Sequence, residues 1–487
     1  MRKEDICFMS ACDMREKIET QELSSLEITE TLIERIEKIN PIINAYCTPT
    51  FELARVLAEE ADEIVKKGEK LGLLHGIPTS IKDMKDTKGI RTTYGCKVFK
   101  KYIPKKDAIL VKRLKNAGIV ILGKTNTPAF GYKGVTDNLI FGATKNPWDI
   151  EKTAGGSSGG AAAAVASGLS PLAQGSDGGG SIRIPSSFCG VFGIKPNYGR
   201  IPQEALKSEG NLATLVQSGP IVRYVKDAAL MLDAMVGSDD IDRHSLQKPS
   251  YSYLEKLKEE PNNPKIGYSF DLGFAKAIAS EVKDSILNSV KKFENFDWLV
   301  EENKEISLLS SSINYSGEIK VENPHITLWR FWTSGFAYAF KQFIKDHEHD
   351  IDLDLARTIK KGFKYSAEVI KETEFQRELI YNSINKHFKK YDILITPTLA
   401  CPAFDINKQS PEEIDGVEII PGEWTPFTFP FNMSGHPAAN IPCGWSSGGL
   451  PIGMQIIGKR FDEVTVLQVS KAFEEIAPWQ NKRPIFN

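Results

Sequence analysis

The chain has 487 residues, 41% hydrophobic and 25% charged, with 61 Lys and Arg against 63 Asp and Glu and a formal net charge of −2. That length buries a sizeable core without metal or disulfide staples, and the near balance of charge gives no electrostatic case for nucleic acid or an anionic membrane. Seven scattered cysteines without CxxC spacing read as reduced thiols with no zinc site, and the opening "MRKEDICFMSACDMREKIE" lacks the apolar core of a signal peptide, so a leaderless cytoplasmic protein is expected.

Residues 1–70 read as helices. "SSLEITETLIERIEKIN" places Leu26, Ile28, Leu32, Ile33, Ile36 and Ile39 near helical period, and Ser24 with Glu27 forms a capping-box pattern. "TFELARVLAEEADEIVKKG" is a second amphipathic helix that ends at a glycine. After Gly72 the texture changes: "GIPTSIKDM" reads as a short buried strand, "DAILVKRLKNAG" as a helix and "IVILG" as a buried strand. Such alternation predicts an α/β fold with a large mixed, mostly parallel sheet covered by helices on both faces. Residues 71–240 form the expected core. Residues 241–389 are more charged and read as a variable helical region, with "LWRFWTSGFAYAFKQFIKD" its most aromatic piece, and α/β texture resumes over residues 390–487 at "YDILITPT", "AANIPCG" and "PIGMQIIG".

Three motifs point to other chemistry and fail on context. Gly118 to Thr125, "GIVILGKT", fits the P-loop pattern, but its intervening residues are strand formers where a phosphate loop is required. "KDHEHDIDLDLAR" gathers His347, His349 and four aspartates without a completing ligand pattern, and reads as a solvated acidic face. Gly155 to Gly159 matches the G-x-S-x-G elbow of serine hydrolases, but "NPWDIEKTA" before it is a poor strand, and His436 is the best of seven unremarkable histidines.

The stretch "KTAGGSSGGAAAAVASGLSPLAQGSDGGGSIRIPSSFCGVFGIKP" interleaves two glycine-serine clusters with residues that want burial. A linker has no use for that apolar surface. A reaction centre does, because glycine lets backbone N–H groups approach a substrate and serine supplies a nucleophile. The run "AAAAVASG" between the clusters reads as a helix packed tightly on the sheet. A serine hydroxyl needs a base to withdraw its proton. No histidine lies near these serines in sequence, whereas Lys82 sits in an apolar strand, where burial would favour a neutral amine. Taken singly, Lys82 reads as a structural lysine, and Ser157 and Ser181 as turn residues or helix caps.

These two clusters, with "HGIPTSIKDM", "GKTNTPAFGYKGVTDNLIFGATKNPWD", "YDILITPT" and "PFTFPFNMSGHPAANIPCGWSSGGLPIGMQIIG", resemble the amidase signature family over residues 25–235 and 385–475. The resemblance implies a serine amidohydrolase with a Ser–Ser–Lys triad: Lys82 as base, Ser157 as bridging serine after a cis Gly156–Ser157 bond, and Ser181 as nucleophile. It implies substrate-binding and oxyanion roles for Gly178, Gly179, Gly180, Ser158, Phe130 and Gly131. Asp177 and Arg183 read as a buried pair bracing the nucleophile loop. Gly178 stands where many family members carry threonine, which implies a looser loop or room for a bulkier group. No cofactor or metal is called for.

The expected reaction is cleavage of the C–N bond of linear or cyclic carboxylic amides. The "SDGGGSIRIP" form is similar to that of 6-aminohexanoate-cyclic-dimer hydrolases and broad amidases. The alternatives are the glutamine-amidase subunit of a tRNA-dependent amidotransferase and a non-catalytic amidase-like scaffold. In the amidotransferase, an acidic residue holds the ammonium of glutamine; here Thr425 aligns with it, with Glu423 nearby. Phe427, Phe429, Phe130 and Tyr132 are expected to line an apolar pocket. The partner implied is a small-molecule amide substrate, with no nucleic acid or membrane, and a homodimer is the assembly considered.

Overall fold

The apolar runs of the sequence become strands of one 11-stranded sheet in the computed structural model, which describes residues 1–204, 214–309, 311–314 and 317–486. In chain order the strands are β1 (Tyr46–Pro49), β2 (Pro78–Lys82), β3 (Val120–Thr125), β4 (Leu172–Asp177), β5 (Phe192–Lys195), β6 (Gln217–Val222), β7 (Ile266–Tyr268), β8 (Val300–Glu302), β9 (Ile393–Pro397), β10 (Ala438–Trp445) and β11 (Pro451–Gly458). Their order across the sheet is β1-β3-β2-β4-β6-β5-β10-β11-β9-β7-β8.

The sheet is mixed, as expected, and leans further toward antiparallel pairing than the strand–helix alternation suggests. β2 runs parallel to β3 and β4, and β7 runs parallel to β8 and β9. The remaining neighbours are antiparallel. One cause is legible in "WSSGGLP": Gly449 has φ 76°, and Ser446 N–H donates to Leu450 O at 2.7 Å, so a tight turn folds β10 back on β11. Strands joined that way can pair only antiparallel.

Two stretches read as helical also feed the sheet. β1 leaves the N-terminal helices to pair with β3 at one edge, Tyr46 opposite Thr125. β7 and β8 extend the other edge from within residues 241–389. Each is only three or four residues long, too short for period-2 alternation to stand out. The poor strand "DIEKT" also pairs, at Asp149–Thr153, in a small separate ribbon with Lys145–Asn146.

Helices cover both faces. Helix α1 (Ser25–Ile43) starts where the capping pattern predicts: Ser24 Oγ accepts the Glu27 N–H at 2.9 Å. Helix α2 (Gly159–Ala166) and helix α3 (Arg183–Cys189) are buried at every position. Helix α4 (Val225–Met235) and helix α7 (Glu463–Ile476) pack on the sheet and on each other. Helix α5 (Pro324–Ala339) and helix α6 (Leu353–Gly362) pair with one another beside the cavity described below. Among the described residues, no helix is long and apolar enough to cross a membrane.

The small residues of α2 are dictated by contact. A Cβ at Gly160 would lie 2.4 Å from Asn126 N and 2.5 Å from Ala45 O, and one at Gly159 2.4 Å from Thr136 Oγ1. The chain can therefore draw this helix, and Ser157 just before it, against β1 and β3. Gly160→Ala is expected to destabilise the protein by about 1–3 kcal/mol through overpacking, with a matching loss of activity. Urea unfolding checks this; an unchanged midpoint contradicts the close approach.

Candidate active site

Lys82 ends β2, and β4, its parallel neighbour, ends at Asp177, so the loops that follow both strands meet at one edge of the sheet. The carboxyl ends of parallel strands are where α/β sheets open a crevice. Lys82 is fully buried. Its Nζ lies 2.7 Å from Ser157 Oγ and 3.0 Å from the Oγ of Ser176 on β4. The Gly156–Ser157 peptide is cis. The next residue, Ser158, donates its N–H to the carbonyl of Ser181 at 3.2 Å, which ties the two serine clusters together. The Ser181 hydroxyl has no hydrogen-bond partner among the described residues, and Ser181 lines a cavity of about 450 Å³. Gly131 stands against the bridging position: with φ 69°, a Cβ there would sit 3.2 Å from Ser157 Oγ.

The loop carrying Ser181 is shaped by one carboxylate. Asp177 accepts the N–H of Gly180 at 2.7 Å on Oδ1 and that of Ile182 at 3.1 Å on Oδ2. Arg183 closes on both of its oxygens, Nε at 3.0 Å and Nη2 at 2.9 Å, and both side chains are fully buried. Asn432 and Gln455 satisfy the rest of the guanidinium, with Asn432 also donating to Asp177 Oδ1 at 2.8 Å. Burial alone would raise the Asp177 carboxyl; the charge and hydrogen bonds of Arg183, then the Asn432 amide, outweigh it and hold the group well below the ordinary range.

The sequence places Gly180 among the oxyanion donors, and its engaged N–H assigns it a different part. With φ 132° and Thr428 Oγ1 2.5 Å from where a Cβ would stand, it makes the turn. The N–H groups of Gly178, Gly179 and Ser181 have no partner among the described residues. The Gly179 peptide is held in place by Thr428 Oγ1, which donates to its carbonyl at 2.7 Å. Ser158 is also displaced from the substrate role: it is fully buried, and its Oγ bonds the Ser176 backbone at 3.2 and 3.3 Å. Phe130 turns into a separate aromatic cavity, its ring 4.3 Å from that of Phe340.

The cavity has two walls. One is made by the loops, with Gly131, Gly179, Ser181, Ile184, Trp424 and Thr425. The other comes from α5, whose His325, Leu328, Trp329, Trp332 and Thr333 fall at i, i+3, i+4, i+7 and i+8, and from α6 at Asp354, Arg357, Thr358 and Lys361. Tyr132 lines the cavity as expected, but Phe427 and Phe429 are buried in the core. Burial keeps the His325 imidazole below its ordinary value despite Glu423 nearby. Glu423 itself faces a small neighbouring recess, where it accepts the Ile420 N–H at 2.9 Å and lies 3.9 Å from Lys276.

A family comparison fits this arrangement. The sequence model of the Amidase family matches residues 27–467. The chain belongs to that family. An acylamidase of Rhodococcus erythropolis is 35% identical over 99% of this chain and 98% of its own length. The amidase-family component of the glutamyl-tRNA(Gln) amidotransferase of Carboxydothermus hydrogenoformans is 36% identical over 99% of each. Among solved structures, a bacterial aryl acylamidase superposes with TM-score 0.88 at 31% identity, covering 97% of each chain. A substrate complex of 6-aminohexanoate cyclic dimer hydrolase gives 0.87 at 28% identity, covering 98% of this chain and 99% of that one.

The motifs set aside on context have structural partners. Lys124 of the P-loop-like segment is buried and donates to Lys85 O, Thr87 Oγ1 and Thr92 Oγ1. His347 pairs with Asp350 at 3.6 Å, and Asp352 with Lys133 at 3.2 Å. His436 is buried, stacked on Phe388 and paired with Ser434, and Ser157 is partnered by Lys82 instead. Sequence reasoning missed Ser176, Thr428, Asn432 and Gln455. Their signal was polar residues inside otherwise apolar runs such as "TPFTFPFN" and "PIGMQIIG".

Asp177→Asn removes the charge that Arg183 is buried against. It is expected to cost about 3–5 kcal/mol of stability, read from denaturant unfolding. The native carboxyl titrates below its unfolded value of about 3.9, so its contribution is complete above that pH and is lost as the pH falls toward the folded value. The wild type should therefore lose stability more steeply below about pH 4 than the variant does.

Proposed function

We propose that this protein hydrolyses carboxylic amides through an acyl-enzyme on Ser181. The observation that carries the reading is the 2.7 Å contact between Lys82 Nζ and Ser157 Oγ, next to a cavity-lining Ser181 whose hydroxyl has no partner among the described residues. Starting from the neutral Lys82 amine, Ser157 passes its proton to Nζ and takes the proton of Ser181 as Ser181 Oγ bonds to the amide carbon. The carbonyl π pair moves onto oxygen, where the N–H groups of Gly178, Gly179 and Ser181 are the donors at hand; one such donor is typically worth about 3–4 kcal/mol. Collapse of the tetrahedral intermediate breaks the C–N bond, and the amine leaves with a proton returned through Ser157. Water then attacks the ester, gives a proton to the same relay and frees Ser181 with the carboxylic acid.

The second reading, a glutamine-using component of an amidotransferase, has relatives of that name behind it. Recognition of free glutamine needs a countercharge for its ammonium, and a desolvated charge pair contributes several kcal/mol where a neutral hydrogen bond gives about 1. At the aligned position Thr425 lines the cavity and donates its hydroxyl to Gly422 O at 2.9 Å, while the Glu423 carboxylate is engaged elsewhere. Trp329, Trp332, Trp424 and Leu328 instead favour an apolar or aryl group. These features support a stand-alone amidase for apolar amides.

Two measurements test the proposal. Ser181→Ala should remove labelling by a fluorophosphonate probe and lower kcat by about 10⁴-fold or more, with the fold intact. Labelling at Ser157, or retained activity, overturns the nucleophile. Across a matched panel without partner proteins or tRNA, kcat/KM for aryl amides should exceed that for glutamine by at least about tenfold. Glutamine as the best substrate would return the protein to the second reading.

A further inference from the structure

Trp332 of α5 is the only large side chain from the helical wall that reaches the glycine loop itself, as far as the described residues show. A Cβ placed on Gly178 would lie 3.1 Å from its Cζ3 and 3.2 Å from its Cη2, with Val216 3.1 Å away on another side. The position where threonine is common in the family is thus occupied here by an indole from a different part of the chain. The ring is fixed rather than draped: its Nε1–H donates to the Tyr132 carbonyl at 2.9 Å, and it packs on Phe336 with centroids 5.4 Å apart. Tyr132 follows Gly131, the residue that stands against Ser157. One side chain therefore spans the nucleophile loop and the loop beside the bridging serine, and it shares the cavity with Gly179 and Ser181.

We propose that Trp332 is the specificity-determining residue for the acyl half of the substrate, its indole closing the cavity over Gly178 and limiting acyl length. The inference rests on the hydrolase reading above. In the acyl-enzyme the acyl group stays bonded to Ser181 with its carbonyl oxygen at the Gly178–Gly179 N–H groups. The amine departs with the proton that Ser157 returns. A ring seated on Gly178 consequently meets the group that stays, not the group that leaves. The class of substrate is a small or flat acyl group, such as acetyl, propionyl or benzoyl, on an amine whose size Trp332 does not control.

The test uses two amide series on the full-length protein. In one, the amine is fixed as an anilide and the acyl chain lengthens from acetyl to octanoyl; in the other, acetyl is fixed and the amine grows. Trp332→Ala should raise the octanoyl-to-acetyl ratio of kcat/KM by roughly tenfold or more, the scale on which pocket methylenes discriminate. The amine series should keep its ratios within about twofold. Should that variant fail to fold, Gly178→Ala provides the opposite arm: its new Cβ pushes on the indole, lowers the same acyl ratio and alters tryptophan fluorescence. An unchanged acyl ratio in a folded variant, or a shift confined to the amine series, overturns the assignment while leaving the hydrolase intact. A parent that cleaves no member of either series and is not labelled at Ser181 overturns both.

Discussion

Everything at the site depends on a carboxylate buried out of reach of water. Asp177 ends the central strand β4, and its two oxygens collect the N–H groups of Gly180 and Ile182, the guanidinium of Arg183 and the amide of Asn432. A buried ion pair is a weak source of net stability, because desolvation offsets its attraction. Its effect here is geometric. By using up the donors on one side of the loop, it leaves the N–H groups of Gly178, Gly179 and Ser181 without partners among the described residues and the Ser181 hydroxyl at the cavity. Arg183 extends the constraint across the sheet to Gln455 on β11 and to the Thr428 carbonyl.

Lysine and serine meet for a related reason. β2 and β4 are parallel neighbours, so their carboxyl ends fall side by side, and Lys82 reaches Ser176 on the adjacent strand as well as Ser157. Ser157 is brought in from a third direction by α2, whose glycines permit backbone contact with the segments before β1 and after β3. Removing space at Gly131 or Gly160 would therefore act on the relay without touching a reacting atom.

The cavity divides the labour between a fixed wall and a variable one. The loops bearing glycines and serines hold the reaction centre, and the α5–α6 pair decides what fits against it. That division agrees with the relatives, which share the family yet carry names as different as acylamidase and glutamyl-tRNA(Gln) amidotransferase. It also explains why an indole from residues 241–389 can take up the room that a bare Gly178 leaves.

By itself the sequence determined the family, the α/β class, the candidate triad and the Asp177–Arg183 pairing, because those signals are local: glycines at turns, serines at fixed spacing, and a lysine inside an apolar strand. It also placed α1 to its first residue, since a cap acts within one turn. Tertiary structure alone decided the rest. The edge strands β1, β7 and β8 are too short to carry a period, and they pair only because a sheet edge is presented to them. Phe130, Phe427 and Phe429 read as pocket aromatics yet pack away from it, while His325, Leu328, Trp329 and Trp332 read as one more apolar helix stripe. A stripe at helical spacing looks the same whether it faces a core or a cavity. Which of the two it meets is fixed by the packing of distant segments, and spacing along the chain carries no record of that.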